Sequence, residues 1–113
     1  MKKVLLIILI LLSYSAFASD KTPDNLTEYF QYVPNEIHSH WTPYKSNSDY
    51  DVTVQFVINK NGEISNLTIV NSTNERANTS VINAVHNSAP FKPLPLTFKK
   101  DSVKAQIELQ YKK

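Results

Sequence analysis

The most constraining local feature of this chain is a proline segment, residues 89–95, with the sequence Ala-Pro-Phe-Lys-Pro-Leu-Pro. Proline fixes φ, removes a backbone donor and drives the preceding residue out of the α region. The proline segment therefore ends any helix before it and must lie along a defined surface. It separates a helical pattern on its N-terminal side from a strictly alternating pattern on its C-terminal side.

The alternating pattern after the proline segment predicts a β-strand over residues 102–111. A strand whose side chains alternate between apolar and polar has one buried face and one solvated face. The apolar positions are Val103, Ala105, Ile107, Leu109 and Tyr111, and the polar positions are Ser102, Lys104, Gln106, Glu108 and Gln110.

Two more strands are predicted within residues 52–71, joined by a tight turn. Gly62 is the only glycine in the chain and follows an asparagine, and this pair tolerates the positive φ that short hairpin turns require. In the return strand Ile64 and Leu67 are out of step with strict alternation, which predicts a bulge near residues 65–66. The first strand has four apolar residues on one face: Val52, Val54, Phe56 and Ile58.

Helical periodicity predicts three helices. A short amphipathic helix begins at Pro23 and ends at Pro34, and a second short helix follows over residues 36–41. The third begins with a capping box at residues 72–75, carries an apolar stripe over 77–88 and is ended by Pro90. The apolar positions are Leu26, Tyr29, Phe30 and Val33 in the first helix, and Ala77, Val81, Ala84, Val85 and Ser88 in the third.

These elements predict an α+β fold in the order α-α-β-β-α-β, with a three-stranded antiparallel sheet and helices packed on one face. Three strands with one apolar face are not stable alone, so the helices must cover that face. The chain has no cysteine, so no disulfide framework supports the fold. Trp41 and Phe91 are interpreted as core residues.

The first 18 residues have the pattern of a secretory signal peptide: a basic start, an apolar run and small residues up to Ala18. The stretch 4–18 is shorter than the ~20 residues that span a bilayer, which favours a cleaved signal over an inner-membrane anchor through 4–18. The predicted organisation is a signal peptide (1–18), a lead with a short amphipathic helix (19–35) and one domain (36–113).

The charge of the chain argues against a nucleic acid as partner. Without residues 1–18 the chain has ten basic and ten acidic residues and no basic stripe. Phosphate contacts need clustered lysines or arginines, so a formally neutral domain favours a different class of partner.

No group of residues in the sequence predicts a catalytic, metal or cofactor site. His38 and His40 are two residues apart in a helical pattern, which places them on different faces, and no third ligand is evident. Asp49 and Asp51 precede a strand and are interpreted as turn residues. A chain with one glycine cannot build a nucleophile elbow or a phosphate-binding loop. We therefore predict no enzyme, no cofactor and no small-molecule substrate.

The order of hairpin, helix, proline segment and strand resembles the C-terminal domain of the TonB/TolA family. TonB and TolA proteins also carry a membrane anchor and a long spacer. This short chain is therefore similar to a stand-alone exported protein that keeps the partner-binding half. The similar stretches are Trp41-Thr42-Pro43, which resembles the entry of TolA-like members, the hairpin 52–64, the strand end 69–73, the helix end 83–85 and the exit 89–95.

The resemblance implies a non-enzymatic periplasmic protein-binding module that acts in TonB-dependent transport or envelope integrity. TonB-like domains add a segment of an envelope or outer-membrane receptor beside their last strand, which here is residues 102–111. Alternatives are a small secreted inhibitor or enzyme accessory protein, or a minimal membrane-anchored energy transducer. The oligomeric state stays open. The implied partner-binding residues are Ser102, Lys104, Gln106, Glu108 and Gln110.

Overall fold

The computed structural model describes residues 3–7 and 23–113. Three of its strands form the predicted antiparallel sheet, and both helices pack on one face of that sheet, so the α+β fold class is confirmed. The elements in chain order are β1 (Lys3–Ile7), α1 (Pro23–Ser39), β2 (Tyr50–Asn59), β3 (Ile64–Ser72), a 3-10 turn (Glu75–Ala77), α2 (Asn78–Ser88) and β4 (Ser102–Lys112).

The sheet has the order β1-β4-β2-β3, and every neighbouring pair is antiparallel. The hairpin strands and the C-terminal strand lie where the sequence predicts them. The short strand β1 is an addition that the sequence did not predict, and it pairs along the outer side of β4. The predicted cleavage site at residues 16–18 lies outside the described residues.

The core forms between the helices and one face of the sheet. The stripe on α2 is confirmed, since its apolar residues are fully buried and Ser88 is nearly so. Trp41 and Phe91 are core residues as predicted, and the Trp41 Nε1–H donates to the Ser80 Oγ at 3.3 Å. Removing atoms from such a core leaves a cavity that the surroundings fill only in part. The fully buried sheet residues are Val52, Val54, Phe56, Ile58, Ile107 and Leu109.

The prediction of two short helices separated by Pro34 is wrong, because α1 is continuous from Pro23 to Ser39. A proline inside a helix removes one backbone hydrogen bond and costs about 3 kcal/mol. Here Val33, Pro34 and Ile37 are all buried against the rest of the core. Burial of this turn offsets the missing bond, so α1 extends across the predicted boundary between residues 35 and 36.

The proline segment lies against the hairpin turn, and Gly62 makes this contact possible. The Phe91 N–H donates to the Gly62 carbonyl at 2.9 Å, and the Leu94 N–H donates to the Lys60 carbonyl at 3.0 Å. Gly62 has a φ of +92°, and a Cβ at this position would lie 1.9 Å from the Phe91 carbonyl oxygen. The predicted tight turn is confirmed, and glycine is required there both by φ and by the close approach.

Helix α1 holds the proline segment from the other side. The Tyr29 hydroxyl donates to the Lys92 carbonyl at 2.7 Å, and the Lys92 N–H donates to the Tyr32 hydroxyl at 2.9 Å. Burial raises the pKa of Tyr29 well above its usual value, and the neighbouring Tyr32 adds to the effect. The segment that leads into β4 is therefore fixed between α1 and the hairpin.

The start of α2 differs from the predicted capping box. Asn74, rather than Ser72, is the cap of the 3-10 turn, and its Oδ1 accepts from the Arg76 N–H at 3.0 Å. The Ser72 hydroxyl donates instead to the Asn78 Oδ1 at 2.6 Å. Both asparagine and serine are good caps, and the sequence did not distinguish which of them ends the strand. Neither α1 nor α2 is long and apolar enough to cross a membrane.

Candidate functional site

Strand β4 is the longest and most regular strand of the sheet. It pairs with β2 in ten consecutive residue pairs without a shift, from Tyr50 opposite Tyr111 to Asn59 opposite Ser102. Its buried and accessible residues alternate along its full length, as the sequence predicts. A regular register keeps the backbone groups of the strand evenly directed to both sides.

The five predicted partner-binding residues all lie on the face of β4 that points away from the helices. Ser102 and Lys104 are exposed, whereas Gln106, Glu108 and Gln110 are half-buried. Their neighbours on β2 are polar or only half-buried, so this face carries hydrogen-bonding groups along two adjacent strands. The cross-strand pairs are Asn59–Ser102, Val57–Lys104, Gln55–Gln106, Thr53–Glu108 and Asp51–Gln110.

The side of β4 away from β2, which we call the outer edge, is paired over only part of its length. Strand β1 lies antiparallel to residues 108–112, with Lys3 opposite Lys112 and Ile7 opposite Glu108. Beside residues 102–107 no strand lies on this side within 3–7 and 23–113. Sequence reasoning missed this pairing because the apolar run at the start was interpreted as an export signal or a membrane anchor and not as a strand.

The opposite edge of the sheet, formed by β3, is irregular. Its pairing with β2 shifts by one residue between Thr68 and Ser65, where Asn66 has a φ of +56°. It shifts again between Asn71 and Ile69, which leaves the intervening Val70 49% exposed. The first shift confirms the predicted bulge near residues 65–66, and the second was not predicted. Bulges twist a strand and interrupt its row of backbone groups, so this edge is poorly suited to strand addition.

The C-terminal end of β4 is anchored to the start of β2. The rings of Tyr50 and Tyr111 stack with their centroids 4.7 Å apart and an interplanar angle of 14°. The Tyr50 hydroxyl donates to the Tyr44 carbonyl, and burial, with a smaller contribution from Tyr111, raises the pKa of Tyr50 to about 12. Asp49 accepts from the Lys113 N–H at 2.7 Å. These contacts fix the position of β4 where β1 pairs with it.

The histidines considered as metal ligands have structural contacts. His40 Nδ1 lies 2.9 Å from the Glu36 carbonyl oxygen and 3.2 Å from the Ser88 Oγ, which ties the end of α1 to α2. His38 packs against Trp41, with ring centroids 6.2 Å apart. Within the part of the chain that the structure describes, no group of three histidine, cysteine or carboxylate side chains is placed to hold a metal ion.

A shallow cleft of about 570 Å³ opens at the end of the sheet where β4 ends. Its lining includes the basic side chains of Lys45, Arg76 and Lys113 and the hydroxyl groups of Ser46 and Ser48. No histidine, aspartate or glutamate side chain is among the residues that line this cleft.

Of the two aspartates interpreted as turn residues, Asp49 precedes β2 and its Oδ1 accepts from the Lys113 N–H. Asp51 lies within β2, so its interpretation as a turn residue is wrong, and it bonds to Thr73 through its own backbone N–H and carbonyl.

Comparison with known proteins gives one finding. The family model described as TonB C terminal matches residues 26–109, which covers most of the chain from α1 into β4. No curated protein and no solved structure gives a significant match.

Proposed function

This chain belongs to the TonB C-terminal family, and on that premise we propose that it binds a segment of an envelope or outer-membrane protein as an added strand beside β4. Members of this family are non-enzymatic interaction modules of the cell envelope. The specific proposal is that backbone hydrogen bonds along the outer edge of β4 supply the affinity. The process served is TonB-dependent transport or envelope integrity.

The regular geometry of β4 is the observation that carries this proposal. An added strand needs a row of backbone N–H and C=O groups at even spacing, and β4 keeps one register with β2 over ten residue pairs. The stacking of Tyr50 on Tyr111 and the buried face of the strand hold it rigid. A rigid edge loses little conformational freedom on binding, which favours affinity.

Strand β1 supports the proposal from within the chain. Five residues in extended conformation already pair antiparallel with 108–112 of β4. The outer edge is therefore sterically accessible to a strand. A partner segment would form the same type of backbone ladder over 108–112 and extend it along 102–107.

Side chains on the solvated face of β4 are suited to select among partner segments. Lys104 is exposed and Glu108 is half-buried, so the face presents a cation and an anion four residues apart. On one sheet face, opposite charges in neighbouring strands contribute roughly 0.2–1 kcal/mol per pair, and like charges oppose pairing. We expect selected partners to carry an acidic residue beside Lys104 and a basic one beside Glu108.

The test compares two proline variants whose substituted positions pair with the same residue of β2. Gln55 pairs with Gln106 of β4 on one side and with Thr68 of β3 on the other. Peptides from periplasm-facing segments of the organism's outer-membrane receptors and envelope proteins are titrated against Gln106→Pro and against Thr68→Pro, which carries the same substitution on the opposite edge strand. Proline removes a backbone donor, so we expect Gln106→Pro to weaken binding about tenfold or more and Thr68→Pro to bind as the unaltered protein does.

Circular dichroism establishes that both variants are folded before binding is compared. Unchanged binding by a folded Gln106→Pro variant, or loss of binding only in Thr68→Pro, contradicts docking at β4. Lys104→Glu tests the selectivity described above. A change in the preference of the protein for the charge of the peptide residue beside position 104 would support it.

We propose a periplasmic location for this module, with export directed by residues 1–18. N-terminal sequencing of protein from the periplasmic fraction is expected to give Ser19 as the first residue. Recovery of the chain only from membranes, starting at Met1, would instead indicate a module anchored through residues 4–18.

A further inference from the structure

Strand β1 occupies part of the edge that the proposed function assigns to a partner. We propose that residues 3–7 are an intramolecular ligand of β4, which closes the outer edge over 108–112 while the leader, residues 1–18, remains attached. Removal of the leader opens this edge. The biological consequence rests on the proposed function, whereas the pairing itself is tested without any partner.

The backbone pairing is the first support for this proposal. Five consecutive residues of β1 pair with five of β4 in one uninterrupted antiparallel register. The segment Lys-Val-Leu-Leu-Ile contains neither proline nor glycine. It has two β-branched residues, which fit the pleated surface of a strand well. The leader therefore carries a sequence compatible with strand pairing as well as with export.

The covalent connection makes self-occupancy effective. Fifteen residues, 8–22, separate β1 from α1. Segments joined within one chain by short linkers commonly reach effective concentrations on the order of 1 mM. If the strand alone binds with a Kd of roughly 0.1 mM, the apparent Kd of any competing segment rises about tenfold.

The incomplete coverage of β4 defines how a partner displaces β1. Residues 102–107 have no strand on their outer side in the described ranges, whereas 108–112 do. A longer partner segment can pair first with 102–107 and then replace β1 residue by residue. The leader therefore weakens binding by a finite factor and does not abolish it.

The experiment uses the full chain with two adjacent substitutions, Leu5→Pro and Leu6→Pro. Successive residues of an antiparallel strand direct their N–H groups to opposite sides, so only one of these two N–H groups faces β4. Proline is tolerated on an edge where the N–H faces away from the sheet. The backbone of Gln110 faces away from β2 and Leu5 pairs with it, so the Leu5 N–H faces β4. Leu5→Pro should therefore release β1, and Leu6→Pro is its matched control.

Hydrogen exchange measured by NMR reports the pairing directly. We expect the amides within 108–112 that face away from β2 to exchange at least about tenfold faster in Leu5→Pro than in Leu6→Pro. Amides in β2 should be equally protected in both, which shows that the fold persists. Identical exchange at 108–112 in the unaltered chain and both variants overturns the proposal.

A probe supplied in trans tests occupancy of the edge. A labelled synthetic peptide with the sequence of residues 1–8 is titrated against the unaltered full chain and the two variants. We expect the released variant to bind the peptide about tenfold more tightly than the unaltered chain and the matched control. Equal affinity in all three contradicts closure by β1. Failure of receptor peptides to bind any of the three, with the exchange difference intact, would refute the proposed function and leave this inference standing.

Discussion

Strands β3 and β4 flank the same central strand, β2, yet they form two different kinds of edge. Strand β3 has two one-residue bulges within nine residues, whereas β4 has none within eleven. Val54 illustrates the difference, because it pairs with Ile69 on β3 and with Ile107 on β4. Ile69 is half-buried, whereas Ile107 is fully buried.

The difference shows how one sheet can protect one edge and present the other. Unpaired backbone groups on a flat edge invite pairing with any extended chain, and natural proteins commonly interrupt such edges with bulges. Asn66, with its positive φ, and the displaced Val70 interrupt β3 in this way. The strict alternation of β4 leaves its edge regular, which favours the proposed docking on that side of the sheet.

The largest expected effect comes from truncating the two isoleucines beside Val54. We expect Ile107→Ala to lower the free energy of unfolding by about 2–5 kcal/mol, because it leaves a cavity in the core. Ile69→Ala should cost about 1 kcal/mol, since its side chain is already partly hydrated. Urea denaturation followed by circular dichroism gives both values. Equal losses would show that the two edges contribute equally to the core.

A second expected effect concerns the approach to β4 from the proline segment. Gly62→Ala should lower the free energy of unfolding by at least about 2 kcal/mol, because a residue with a Cβ is strained at this φ and would contact the Phe91 carbonyl. Asn61→Ala in the same turn is the control and should cost less than about 1 kcal/mol. A thermal melt that is unchanged by Gly62→Ala would contradict the close packing of the hairpin on the proline segment.

The stacked pair that ties β4 to β2 predicts a dependence of stability on alkaline pH. The pKa of Tyr50 is raised by burial to about 12 in the folded protein, against about 10 for an unfolded tyrosine. Its contribution is complete below pH 10 and is lost as the pH rises towards 12, because the unfolded chain releases the proton first. Tyr29, whose pKa is also raised by burial, adds to the same loss.

Urea denaturation at pH 8, 10 and 11 measures this loss. We expect the free energy of unfolding to fall above pH 10 and to fall less steeply in Tyr50→Phe. Stability that is constant from pH 8 to 11 would contradict the burial of both hydroxyl groups.

The smallest expected effect is at the first bulge of β3. Asn66→Gly relieves the cost of a positive φ but increases the freedom of the unfolded chain, so the net change should stay within about 1 kcal/mol. Peptide binding at β4 should be unaffected. A change in peptide affinity as large as that of Gln106→Pro would show that β3 also contributes to docking, which contradicts binding at β4 alone.

Local patterns in the sequence predicted most of the sheet. Alternation located β4 to within one residue, Gly62 located the hairpin turn, and the small residues of α2 are buried as their spacing indicates. These features depend on neighbours in the chain, so periodicity and turn chemistry are sufficient to find them.

Features that depend on distant contacts were missed. Pro34 is accommodated in α1 because its surroundings are buried. Rules for proline that use only neighbouring residues do not take this burial into account. The pairing of residues 3–7 with 108–112 joins segments about a hundred positions apart. The proposed partner-binding face on β4 rests on the resemblance to a family with a known docking mode and not on a local pattern, and it stays a prediction.

The most direct test of the account is the location of a bound peptide on the sheet. Hydrogen exchange of the protein with and without a binding peptide is measured by NMR at each amide of β3 and β4. We predict slower exchange for the amides within 102–112 that face away from β2, and no change for those of Ile64–Ser72. Protection that develops along β3 and leaves β4 unchanged would contradict the account.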